Sequence, residues 1–458
     1  MTKRMASFVL ALALFVPLLA ACGNNQPAAP AATTAPAAPA ATTAPAAPAA
    51  TAAPAAPVAT PAPLGDVKKI EVEPNASIVF WSWGASEAEL NLVRQSIENF
   101  KKIYPEVTVD FQPTPADYET KLKAAIAGGT GPDVFYINDS LMTALGPTGQ
   151  LAALDEAMAA GGVTREEFIP ALLTIFTNEG KTYGLPKDWG TLGLIYLPEA
   201  FADAGIPEPT SSWTWDDLAK AAKTIGDKGT YAGFCQNADW ARFAPFAFSY
   251  GGSFVSDDLT KATINTPEIK QAAEFVMQMK NDNSLKTASD LSAGWCGEAI
   301  GKKLAAITLE GGWMVNFMKE NYKDVQWKAV SLPNGPKGQA GVIFTNAIAA
   351  NAKAKFPKAS AALVLYLTGR NNQAFVAENG LAYPSRADDL GLVTDPNDSA
   401  IAQAYTFPGT RVAYWGPNTG KVNEAINQAL NRVYLGDQTV EEAFTQAQDE
   451  IQAALDTR

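Results

Sequence analysis

Between Ser77 and Ile137 the chain switches repeatedly between two hydrophobic periods, and this restricts its fold more than any other feature. The run SIVFWSW (Ser77 to Trp83) reads as a strand, and Glu87 to Ile103 carries Leu90, Val93, Ile97 and Phe100 at helical spacing. VTVDF (Val107 to Phe111) alternates as a second strand. Asp117 to Ala127 reads as a helix stopped by GGTGP, and DVFYI (Asp133 to Ile137) is a third strand. Strand, helix, strand, helix, strand within about sixty residues predicts an α/β fold with a parallel, doubly wound sheet. In such sheets ligands lie beyond the carboxyl ends of the strands.

A second series starts at LGLIYL (Leu192 to Leu197). Thr214 with Asp217 forms a capping-box pattern, and Thr266-Pro267 sets a cap before a first-turn proline. Ile269, Ala272, Ala273, Val276 and Met277 then share one helix face. Val422 to Val433 and a helix capped by Thr439 and Glu442 close the chain. At 458 residues there is length for two domains.

Within the second series, LEGGWM (Leu309 to Met314) ends the apolar run AAITL with a carboxylate, two glycines and a tryptophan. Glycine pairs are placed where a chain turns or is approached closely, so a large aromatic at that corner needs a reason.

The N-terminus reads as an export signal. Lys3 and Arg4 precede an apolar stretch from Phe8 to Ala21, too short for a comfortable membrane span. Leu19-Ala20-Ala21-Cys22 matches the lipobox of bacterial lipoproteins, which implies cleavage before Cys22 and lipidation of its sulfur. Residues 1–21 are therefore expected to be a signal peptide. Residues 22–66 are expected to be a lipid-anchored Ala/Pro/Thr-rich tether, since TTAPAAPAA recurs from Thr33 and Thr42 with nothing to bury. As extended polyproline at about 3.1 Å per residue, the tether would reach on the order of 100 Å. It would hold residues 67–458, the folded body, clear of a cell membrane.

The balance is acidic, 47 Asp and Glu against 35 Lys and Arg, and becomes more so once Lys3 and Arg4 are removed. That disfavours nucleic acid and anionic lipid as partners. Histidine is absent, which removes the commonest general base and a preferred metal ligand. Beyond Cys22 only Cys235 and Cys296 remain, neither at a metal-ligand spacing. Outside the cytoplasm they are either a disulfide or two separately buried thiols.

Six fragments in order carry a family resemblance: IVFWSW with a helix ending FKKIYPEVTVDF, AGGTGPDVFYIND, GKTYGLPKDWGTLGLIYLPEAFADAGI, SWTWDDL, GKKLAAITLEGGWM and GLAYPSR. Together they resemble the extracellular solute-binding proteins of ABC importers, in the sugar-binding branch typified by maltodextrin-binding proteins. One departure is that Leu197-Pro198 stands where the family has Asn-Lys, which puts a polar contact there in doubt. The resemblance implies a two-lobed periplasmic-binding-protein (Venus-flytrap) fold that traps its ligand by hinge closure. Lobe 1 would hold about residues 68–187 and 341–386, lobe 2 about 190–339 and 387–458. It implies no catalysis, no cofactor and no metal. The partners implied are a small solute, expected to be carbohydrate, and the importer's membrane permease, with the chain acting as a monomer.

A sugar ring offers an apolar face and a rim of hydroxyls, so its site needs flat aromatics together with Asp, Glu or Asn. In the resemblance Trp313 stands on the cleft wall, with Glu310 and Gly312 beside it. Trp83 and Glu87 lie at the first strand's end, Asn138 and Asp139 at the third's, and Asp188 and Trp189 in the crossing segment. Trp240, Tyr414 and Trp415 match loops that supply stacking aromatics. Two other readings remain open: a secreted lipoprotein glycoside hydrolase, which needs two carboxyl groups about 5 to 10 Å apart, and the same fold serving a polyamine. The candidate set contains no cation, which disfavours an anionic solute.

Overall fold

The computed structural model describes residues 67–83, 87–114, 117–379, 383–416 and 418–457. The export signal, the lipobox with Cys22 and the tether lie outside the described residues.

Strand β1 (Ala76–Trp83) lies between β2 (Val107–Thr114) and β3 (Val134–Ile137), parallel to both. The Glu87–Ile103 helix follows β1 and the Tyr118–Ala127 helix follows β2, as the crossovers of a doubly wound sheet require. The Asp133 carboxylate accepts the Val79 N–H at 2.8 Å, which fixes where β3 enters beside β1. A short hairpin, β4 (Thr177–Asn178) and β5 (Lys181–Thr182), precedes β6 (Gly184–Gly190).

One residue later β7 (Leu192–Tyr196) opens a second sheet with β8 (Ala232–Cys235), β9 (Leu285–Lys286), β10 (Ala305–Gly311) and β11 (Lys328–Val330), in the order β11-β7-β10-β8-β9. Strand β12 (Val342–Ala350) returns to the first sheet, antiparallel to β3 and β6, and β13 (Arg411–Val412) adds to its start.

Each sheet has its own core. Ile78, Phe80, Phe100, Phe135 and Leu363 pack in the first, and Leu194, Phe234, Phe246, Ile307 and Ile426 in the second. Strand β12 serves both: Ala347 to Ala350 pack in the first core, Val342 and Ile343 in the second. The Thr191 hydroxyl donates to the Val342 carbonyl at 2.7 Å and so ties the two crossing segments together. Tyr383, in the stretch expected in the first lobe, also packs in the second core.

Both capping boxes form, Thr214 with Asp217 and Thr439 with Glu442. Thr266 precedes Pro267 as expected but makes no side-chain cap bond. Leu197, where the family pattern has a polar residue, is fully buried, and Pro198 opens a helix. Cys235, ending β8, is bonded to Cys296 at the start of the Cys296–Gly301 helix, their Cα atoms 5.5 Å apart. Among the described residues no helix is long and apolar enough to cross a membrane.

Candidate functional site

The carboxyl ends of β1, β3 and β10 face a cleft between the two cores. Its main cavity, about 520 Å³, is bounded by the crossing residues Asp188 to Gly190, by Phe344 and Asn346 of β12, by Glu378 and Asn379, by Gly312, Trp313, Asn316 and Lys319, and by Asp395 and Asp398. A second hollow of about 500 Å³ is lined by Trp83, Tyr118, Glu119 and Asn138, and Asn346 belongs to both. Each is within the usual size of a small-molecule site, roughly 300–1,000 Å³.

Trp313 begins the helix that follows β10 and is 39% exposed, whereas Trp189, Trp215 and Trp415 are buried and the other tryptophans half-buried. The glycines explain how. A side chain on Gly311 would collide with the Trp313 ring, and its Cβ would stand 2.6 Å from the Thr191 carbonyl. A Cβ on Gly312 would stand 2.8 Å from the Tyr383 hydroxyl and 2.9 Å from Asp398 Oδ1. Both positions are glycine because of close approach, with backbone angles any residue could adopt at Gly312. The tryptophan folds back over bare backbone and turns its ring to the cavity.

The indole N–H donates to Glu310 at 2.9 Å, and the same carboxylate oxygen accepts from Arg242 at 2.6 Å. Arg242 also lies 5.8 Å from the Trp313 ring and 3.7 Å from Asp239. This corrects the expectation that Glu310 accepts solute hydroxyls. It is only 2% exposed and off the cavity wall, with Arg242 and Trp313 both bonded to its Oε2. Burial pushes its carboxyl up and Arg242 pulls it back. Glu310 is a positioning residue for Trp313.

Among the other expected residues, Trp83, Asn138, Asp188 and Gly312 line one or other hollow. Trp83 meets Tyr118 and Tyr136 edge-on at 5.5 and 5.0 Å. Asn138 caps the Asp139–Leu145 helix and donates to Glu119 at 2.8 Å. Asp139 is half-buried and lines neither hollow, and desolvation raises its carboxyl to about 6. Asp188 pairs with the neighbouring Lys187, whose ammonium lies 4.8 Å over the Tyr136 ring. Trp189 borders the cavity but is mostly enclosed, its ring against Tyr383 and Tyr405 and its N–H on the Pro384 carbonyl.

Four further expected residues line neither hollow. Glu87 is exposed and pairs loosely with Arg94 at 3.4 Å, away from either hollow. Trp415 is core, its N–H on Asn423 and its ring among Trp240, Phe248 and Phe254. Trp240 buttresses Phe344 at 5.8 Å without lining the cavity. Tyr414 is half-buried against the first core, within electrostatic reach of Asp139.

Several lining residues escaped the sequence reading. Asn316 and Lys319 follow Trp313 at steps of three, a helical spacing that could have flagged them. Asp395 caps the Pro396–Ala402 helix, a start legible in TDPND, and Asp398 lies one turn in. Phe344 and Asn346 had no signal, since their run reads as ordinary strand. Lys319 puts one cation on the cavity wall, 3.3 Å from Asp395.

Two α/β lobes joined by crossing strands, with an aromatic and carboxylate-lined cleft between them, define a two-lobed periplasmic-binding type of receptor. Residues 84–374 match the bacterial extracellular solute-binding proteins, and the chain belongs to that family. The structure is similar to an ABC substrate-binding protein of Listeria monocytogenes solved with cycloalternan: TM-score 0.76, 23% identity, 84% of this chain and 100% of that one. A receptor of Streptomyces glaucescens, solved unliganded and with acarbose, gives a TM-score of 0.75 at 23% identity, with 84% and 100% covered. A lactose-binding protein of Rhizobium radiobacter is 24% identical over 267 residues, 56% of this chain and 61% of that one.

Proposed function

We propose that this chain captures a carbohydrate outside the cytoplasm and delivers it to the membrane permease of an ABC importer, without catalysis. The observation that carries the reading is Trp313, a half-exposed indole fixed by Glu310 on the wall of a cavity that amides and carboxylates also line. A flat ring meets the apolar face of a sugar, and Asn316, Asn346 and Asn379 can both donate to and accept from its hydroxyls. Cycloalternan, acarbose and lactose, named for the similar proteins above, support a carbohydrate.

The lipobox at Cys22 and the tether fit a monomeric receptor held at the cell surface by lipid alone. Closure of the lobes would turn on the segments that Thr191 and Val342 join. A thermal-shift screen of the purified chain against mono- and oligosaccharides tests the reading. A cognate sugar at a hundredfold excess over its dissociation constant should add about 2.7 kcal/mol of stability. A panel in which polyamines or sugar phosphates shift the melt and no sugar does would overturn it.

A further inference from the structure

We propose that the solute held in this cleft is a sugar bearing a positively charged amine, with its ammonium seated against Asp398; this rests on the carbohydrate reading above. Among the described residues, four carboxylates line the main cavity, Asp188, Glu378, Asp395 and Asp398, against the single ammonium of Lys319. Two of the four are already paired, Asp188 with Lys187 and Asp395 with Lys319, and Glu378 is exposed to water.

Asp398 differs from the other three. It is only 5% exposed, yet it forms part of the cavity wall. Its one side-chain donor is the Tyr383 hydroxyl, 3.2 Å from Oδ1, and that hydroxyl is also 3.1 Å from the Asp398 carbonyl and so is divided between them. Among the described residues no donor reaches Oδ2, and no cation forms an ion pair with this carboxylate.

A buried carboxylate without a cation is costly, because desolvation disfavours its charged form. A ligand ammonium would restore the missing charge and supply donors to the free oxygen, in the stronger, charge-assisted kind of hydrogen bond. Gly312 packs closely on Asp398 Oδ1 and so sets Trp313 beside this carboxylate, and all three line the one cavity, so one solute can meet both the ring and the carboxylate. A linear polyamine would satisfy Asp398 equally well. It has no acceptor for the amide N–H groups of Asn346 and Asn379, however, and no broad apolar face for the Trp313 ring.

The test is calorimetric titration of the full chain with matched sets of one sugar in its free-amine, N-acetylated and hydroxyl forms, as monosaccharide and short oligosaccharide. Spermidine serves as the non-sugar arm. The free-amine form should bind about tenfold or more tightly than its two partners, the usual scale of one charge-assisted bond. Asp398→Asn, checked for folding by its melt, should abolish the difference between the free-amine and N-acetylated forms. Equal or tighter binding of the uncharged forms overturns the assignment of the amine and leaves the carbohydrate reading standing. Binding of spermidine with no sugar bound overturns both.

Discussion

The indole N–H of Trp313 donates at 2.9 Å to Glu310, three residues back along the chain, so the ring that faces the cleft hangs from a buried carboxylate. Arg242, from the helix after β8, neutralises that carboxylate at 2.6 Å. Arg242→Ala should therefore cost about 3–5 kcal/mol, the usual result of stranding one member of a buried pair. Replacing both, as Arg242→Met with Glu310→Leu, should recover most of that stability but not solute affinity, because the ring loses its anchor. Denaturant melts and titrations of the two variants check this. A double variant that binds like the parent would contradict the positioning role.

Trp313→Ala should weaken solute binding by thirtyfold or more, since truncated aromatic anchors commonly lose about 2 kcal/mol or more. The melt of the unliganded protein should change little, because the side chain is 39% exposed. A fully buried tryptophan would instead cost about 3–5 kcal/mol. A variant that melts far lower yet binds normally would show the ring to be packing alone. Indole emission should also shift when solute closes over the ring and expels water.

The first lobe was legible in the sequence because its strands and helices carry clean periods, from β1 through β3. The position of Trp313 was legible for a related reason: a strand that ends in a glycine pair marks a corner. What the sequence could not show is which polar groups on that corner are already taken. Glu310 reads as a free acceptor until Arg242, 68 residues earlier, is seen beside it. Trp415 and Trp313 look alike in one dimension, and only packing separates them. Phe344 and Asn346 reach the cleft through tertiary contacts with no local signature.

Cys235 and Cys296 should emerge as one linked peptide pair from an unreduced digest of exported protein. Replacing both by Ser should lower stability by roughly 4 kcal/mol on the chain-entropy account, for a sequence separation of 61 residues. Free thiols on both cysteines would contradict this.

Cys22→Ala should release the protein from membranes, because the proposed anchor is the lipid on that sulfur. Fractionation followed by immunoblotting reads the outcome. Retention of the variant with the membranes would remove the anchor from the proposal.

The stability contributed by Asp398 should depend on pH in an unusual direction. Burial raises its carboxyl to about 7, with the nearby Asp395 adding to the effect, while the Tyr383 hydroxyl and Lys319 oppose it. The elements packed on its helix add Lys328 of β11, which is paired with Glu208, and the phenols of Tyr196 in β7 and Tyr405 in the 403–406 turn. The folded chain therefore keeps a proton that the unfolded chain, near the ordinary 3.8, has already lost. Stability must then fall as pH rises from about 4 to about 7, with no penalty below that window and the full penalty above it. Asp398→Asn lacks the penalty. Its melting temperature in the absence of solute should match the parent near pH 4, rise relative to it through the window and level off above pH 7. At about 1.4 kcal/mol for each tenfold change in the proton equilibrium, the ceiling is about 4 kcal/mol. Parallel melts of parent and variant at several pH values measure the difference. A gap that stays constant from pH 4 to pH 8 would mean that Asp398 is charge-satisfied in the empty protein and has no need of a cationic partner.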